Sequence, residues 1–138
     1  MSTTLLCWCR DDEEVTEAAK KFKAERRYSG CRRAALQQVF GPLTGDDILV
    51  VTAHGTPLVF GEEDDSFTDF TAQQFSDALI RMVQGDWKGK LYMDICDGYN
   101  FAKNLRKSLS ARFPMLQLFG CDGQTDMSVD LTKHKQVS

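Results

Sequence analysis

Two apolar runs constrain this chain more than any other feature. Ile48-Leu-Val-Val51 leads into Thr52-Ala-His54-Gly55, and Leu91-Tyr-Met-Asp-Ile95 leads into Cys96-Asp97-Gly98. Both runs are too short for helices. Their apolar residues are consecutive rather than alternate, which is the pattern of strands covered on both faces. Each run ends on a residue with chemistry, a histidine or a cysteine, with a glycine close behind. Parallel strands that stop together would bring His54 and Cys96 to one edge of a sheet. That carboxyl edge is where open α/β sheets carry their sites.

The rest of the chain fits helices around such a sheet. Thr3 to Arg10 reads as a first strand, and its Met-Ser-Thr-Thr start lacks the basic region of a secretory signal. Asp11 and Asp12 supply an N-cap, and Glu13 and Glu14 suit the positive end of a helix. Val15, Ala18, Ala19 and Phe22 recur at helical spacing, so the pattern predicts a helix over 13–27 that Tyr28-Ser-Gly30 interrupts. Arg32 to Phe40 predicts a shorter helix, which Gly41-Pro42 ends. Residues 58–70, with Gly61-Glu-Glu-Asp-Asp-Ser66, read as a solvated acidic loop. Thr71-x-x-Gln74 is a capping box ahead of a third helix carrying Phe75, Leu79, Met82 and Val83. Tyr99 to Arg112 predicts a fourth helix, and Met115 to Gly120 another strand. Met127 to Ser138 alternates weakly, as an edge strand or hairpin would.

This β-α-α-β-α-β-α-β-β order predicts one compact α/β domain over 1–138, a mainly parallel sheet of four to six strands sandwiched by helices. The net charge of −3 gives no support to wholesale nucleic-acid binding, and no apolar run approaches the ~20 residues of a membrane span. The five cysteines are odd in number and scattered, so free thiols in the cytoplasm or another reducing compartment are the simpler expectation. Cys7-x-Cys9 shares one strand face but lacks two further ligands at zinc spacing. No phosphate-binding glycine loop is present. No metal or organic cofactor is therefore expected.

A cysteine attacks as the thiolate, and a nearby imidazole can generate it. A strand-to-helix turn would present Cys96 to the positive end of a helix dipole, where amides can also hold an oxyanion. The Gly55 and Cys96 amides are the candidate donors. Taken singly, Cys96 would be a small buried hydrophobe and His54 a hydrogen-bonded strand-end residue. The matched runs and glycines favour reading them as a pair. His134, in a polar tail, reads as solvent-exposed. Arg26-Arg27 and Arg32-Arg33 read as helix-end charges, with a cleavable basic loop as the alternative.

The pattern resembles the caspase-like superfamily of cysteine peptidases, which includes caspases, metacaspases, legumain, clostripain, gingipain and the self-processing domains of bacterial toxins. The likeness rests on an apolar strand ending in His54-Gly55 and a second ending at Cys96, 42 positions later. Phe101-Ala102-x-x-Leu105 and Met115–Gly123 resemble the helix and strand that follow, so the match spans roughly residues 46–124. The resemblance implies a caspase-like topology and a cysteine endopeptidase or self-processing activity on a peptide or protein substrate. His54 would be the general base or acid, Cys96 the nucleophile and Gly55 an oxyanion donor. It further implies that Asp94 is a substrate-binding carboxylate selecting a basic residue before the scissile bond. The alternative is an inactive caspase-like module that binds proteins. A receiver-like regulatory domain, with Asp11-Asp12 imitating a phosphoacceptor, ranks behind both because it leaves His54 and Cys96 unexplained.

Overall fold

The two apolar runs form adjacent parallel strands in the computed structural model, which describes residues 2–10, 12–62, 65–125 and 128–137. In chain order the elements are β1 (Thr3–Cys7), α1 (Glu13–Lys21), β2 (Arg26–Ser29), α2 (Leu36–Phe40), β3 (Ile48–Thr52) and β4 (His54–Gly55). They continue with β5 (Val59–Glu62), β6 (Asp65–Thr71), α3 (Ala72–Met82), β7 (Lys90–Asp94), α4 (Gly98–Leu109), β8 (Gln117–Gly120) and β9 (Lys135–Gln136). The main sheet runs β2-β1-β3-β7-β8-β9, and only β9 is antiparallel. Chain order therefore reverses between β1 and β3, as at the switch point of a doubly wound sheet.

Continuous hydrophobicity in β3 has the expected cause. Leu49 and Val51 enter one core cluster and Val50 the other. The larger cluster joins the sheet to α2, α3 and α4, while the smaller places Leu5, Cys7, Val50 and Tyr92 against Val15 and Ala19 of α1. By the alternation of a strand, Thr52 and Asp94 share the α1 face, and the residues two beyond, His54 and Cys96, extend those two rows.

Three expectations need correction. Helix α1 ends at Lys21 rather than 27, because Arg26–Ser29 pairs with β1 as an edge strand. Its alternating half-buried and exposed residues show the two-residue period of a strand. Arg27 then donates to the carbonyls of Ala19 (3.1 Å) and Phe22, closing the end of α1 from outside it. The basic pair is thus part of an edge strand rather than a helix end or a loop. Next, residues 58–70 are largely β5 and β6, which form a three-stranded antiparallel sheet with β4; Glu63 and Asp64 of the acidic run lie outside the described residues. Phe60 and Phe70 from this hairpin reach the core, where Phe60 packs against Phe75 of α3 and Phe101 of α4 at centroid distances of 5.1 and 5.4 Å. The indole of Trp8 donates to the Thr68 carbonyl at 2.7 Å and fixes the hairpin over β1. The third correction concerns His134 and is described with the site. The capping box at Thr71 and Gln74 is present with both of its hydrogen bonds.

Asp47 joins the amino ends of the strands. Its carboxylate accepts from the Ser2 amide (3.0 Å), the Ser2 hydroxyl (3.1 Å) and the Thr44 amide (3.1 Å), with Arg26 at 3.8 Å. Burial pushes this carboxyl up, but the donors outweigh burial and hold it below its ordinary value of 3.8. A depressed carboxyl contributes stability that is complete above its unfolded value and is lost as pH falls through the folded one. Urea unfolding of Asp47→Asn should therefore show lower stability than the natural chain at pH 6. It should also show a shallower further loss between about pH 4 and pH 2. Parallel acid profiles for the two proteins would refute this.

Candidate functional site

His54 follows the carboxyl end of β3 and Cys96 follows that of β7, its parallel neighbour. Thr52 and Asp94 are directly paired across the two strands, so His54 and Cys96 each lie two positions past the same rung. Gly55 explains how the rim holds together. A Cβ there would stand 2.7 Å from Cβ of Ile95, so only glycine lets the chain leaving β3 press against the residue before Cys96. Ile95 is itself fully buried core. Cys96 is half-buried and carries a free thiol.

The imidazole has a partner that sequence reading did not select. Nε2 of His54 lies 2.6 Å from Oδ2 of Asp12. Asp12 is also the N-cap of α1, where Oδ1 accepts from the Val15 amide at 3.2 Å. The hydrogen bond to His54, then that from Val15, hold the Asp12 carboxyl below its ordinary value. Asp12 follows β1 and His54 follows β3, so the pair straddles the switch point of the sheet. The signal in the sequence was an acidic residue at a β1–α1 turn, a position next to the β3 end in any sheet whose order reverses there. When Nε2–H is donated to Asp12, neutral His54 carries its proton-accepting lone pair on Nδ1.

The expected strand-to-helix turn follows Cys96, with α4 starting at Gly98. Asp97 adopts a left-handed conformation, φ 57°, between strand and helix. The amides of Asp97, Gly98 and Tyr99 donate to the carbonyls of Gly123 (2.7 Å), Ile95 (3.0 Å) and Cys121 (2.8 Å). These first amides of α4 are committed to backbone, so the helix start does not offer them to an oxyanion. The Gly55 and Cys96 amides remain the candidates.

Asp94 and His134 form a second centre on the same face. The Asp94 carboxylate is buried, accepts from the Thr52 hydroxyl at 2.9 Å, and lies 3.9 Å from the Cys121 sulfur. His134 was expected in solvent. Its side chain is instead 1 % exposed, with Nε2 3.0 Å from Oδ1 of Asp94, because β9 folds the end of the chain back beside β8. Burial disfavours the charged imidazolium, but Asp94 and Cys121 beside it outweigh burial and push its pKa up to about 10. The carboxylate implied as a basic-residue anchor is thus occupied by a histidine of the same chain.

A cavity of about 660 Å³ lies between α1 and Ser128-Val129 and includes none of these residues. A smaller one, about 130 Å³, opens beside Asp94, Cys121 and His134. No helix among the described residues is long and apolar enough to cross a membrane. Comparison with protein-family models, curated proteins and solved structures finds no match for this chain.

Proposed function

We propose that the chain is a cysteine endopeptidase or self-processing protease of caspase-like topology. One observation carries this reading: a carboxylate-held imidazole, Asp12–His54, at the switch point of the sheet, with Cys96 at the matching level of the next strand. The mainly parallel sheet between helices also fits the likeness drawn from His54-Gly55 and Cys96. In the reaction, the Cys96 thiolate attacks the scissile carbonyl and His54 delivers a proton to the departing amine. The amides of Gly55 and Cys96 hold the tetrahedral oxyanion. Water then hydrolyses the thioester, with His54 accepting its proton as the thiol leaves. Asp12 fixes the orientation of the imidazole and stabilises its charged form. A preference for basic residues would require Asp94 to exchange His134 for the cation of the substrate.

A protein-binding module without turnover is the second reading. It is favoured by the commitment of the Asp97, Gly98 and Tyr99 amides to backbone carbonyls, which removes these three as oxyanion donors.

The deciding test is labelling of the folded protein by peptidyl acyloxymethyl ketones with basic, acidic or neutral residues before the reactive group, the modified residue being located by mass spectrometry. Modification at Cys96 is expected, falling at least about 100-fold in His54→Ala, since a positioned base contributes on that order or more. Alkylation by iodoacetamide that is no faster at Cys96 than at Cys31, together with no ketone labelling, would move the function to the binding module.

A further inference from the structure

Beside the rim, three side chains from distant parts of the sequence converge. A carboxylate oxygen of Asp94, the sulfur of Cys121 and a ring nitrogen of His134 all lie within 4.8 Å of one another. Asp94 comes from the end of β7, Cys121 follows β8, and His134 precedes β9. Nε2 of His134 is 3.0 Å from Oδ1 of Asp94, yet their alignment makes no hydrogen bond, and Nε2 is buried without a hydrogen-bond partner among the described residues. The two groups are thus in ion-pair contact without a well-aligned hydrogen bond, and a cation between nitrogen and oxygen would satisfy both.

From this arrangement we infer that Asp94, Cys121 and His134 form a divalent-metal site, with zinc as the best-matched ion. A tetrahedral zinc with ordinary bond lengths separates nitrogen from oxygen by about 3.4 Å and sulfur from oxygen by about 3.6 Å. The corresponding separations here are 3.0 and 3.9 Å, so small shifts accommodate the ion. The donor set of one thiolate, one imidazole and one carboxylate is within the range zinc uses. Its two negative charges neutralise a divalent cation, which suits burial.

The surrounding groups are arranged as metal sites arrange them. Nδ1 of His134 is 3.0 Å from the Asp130 carbonyl, to which it donates as N–H, leaving Nε2 as the ligating nitrogen. The Thr52 hydroxyl orients the other oxygen of Asp94. The ring of Tyr92 stands edge-on to His134, 5.6 Å between centroids, and limits rotation of the imidazole. Asp94, Cys121 and His134 all line the cavity of about 130 Å³, which has room for a water as fourth ligand and is also lined by Asp122, Asp130 and Lys133. Metal here would tie the segment carrying His134 to the ends of β7 and β8. It would also engage Asp94, two residues before Cys96. The site does not depend on Cys96 being a nucleophile.

The test is titration of reduced, chelator-stripped protein with Co²⁺, followed by displacement with Zn²⁺. One equivalent should bind with a thiolate-to-cobalt charge-transfer band, and zinc at a hundredfold excess over its Kd should raise Tm by roughly 5–10 °C. Cys121→Ser and His134→Ala should each weaken binding at least about 100-fold, while Cys31→Ser leaves it unchanged. X-ray absorption of the zinc-loaded natural chain should give one sulfur and three nitrogen or oxygen ligands, a readout that needs no variant to fold. Failure to bind one equivalent would overturn the proposal. So would a shell with two or more sulfurs, or binding lost in Cys96→Ala but retained in His134→Ala.

Discussion

If Cys96 is the proposed nucleophile, replacing it with alanine should leave the chain folded, abolish ketone labelling and lower turnover of any cleaved peptide at least about 10⁴-fold, the scale on which removing a nucleophile acts. The expected loss is large because the proposed covalent route would disappear entirely; an oxyanion site and a bound substrate alone would retain only a small share of catalysis. Stability should hardly change. Cys96 belongs to neither core cluster and is half-buried, so the substitution should cost no more than about 0.5 kcal/mol in urea unfolding. Asp12→Asn makes a complementary case. It keeps an oxygen for capping α1 but presents a neutral amide to His54, so kcat should fall while helix content is maintained. Losses in the Cys96→Ala, His54→Ala double variant should not exceed those of the worse single one, since the groups act as a unit. Residual cleavage in purified Cys96→Ala would remove Cys96 from the mechanism. A fully active Asp12→Asn would remove Asp12 from it.

How much of this could be read from residues alone depended on how far apart the deciding residues lie. β3 and β7 were legible because unbroken apolar runs have one economical place, the middle of a covered sheet. α3 was legible because its capping box is local, Thr71 and Gln74 satisfying each other three residues apart. β2 was not. Arg26-Arg27-Tyr28-Ser29 has the composition of a helix end, and only its parallel neighbour β1 makes it a strand. β5 and β6 were hidden by the acidic run in the sequence between Phe60 and Phe70, although these two side chains anchor the strands in the core. The rim was half legible. His54 and Cys96 announced themselves through strand-end glycines, but Asp12 reads as an ordinary helix cap until the strand order brings β1 beside β3. His134 was the least legible. Forty residues separate it from Asp94, and a polar tail gives no hint that its histidine is buried. For the same reason, no ligand spacing in the sequence pointed toward a metal.

Gly120→Ala should lower stability by about 3 kcal/mol, the upper end of overpacking costs, and Tm by roughly 10 °C. A Cβ at Gly120 would stand 2.2 Å from the Gly98 carbonyl carbon and 2.3 Å from both the Gly98 oxygen and the Tyr99 nitrogen. All three are backbone atoms at the start of α4, so no side chain can swing away to relieve the contact. The same junction is held by hydrogen bonds from Tyr99 to the Cys121 carbonyl and from Asp97 to the Gly123 carbonyl, which a displaced helix start would strain or break. Gly123→Ala is the internal control. Gly123 has φ +91° but open space around its Cα, so alanine there meets backbone strain without collision and should cost only about 1–2 kcal/mol. The functional consequence should also separate the two. Cys96 leads into the turn that Gly120 supports, and a displacement of about 1 Å can cost on the order of 100-fold in rate. Folded Gly120→Ala should therefore label at Cys96 far more slowly than folded Gly123→Ala, beyond what their difference in Tm accounts for. Equal labelling rates would mean that the approach of β8 to α4 stabilises the fold without positioning the thiol.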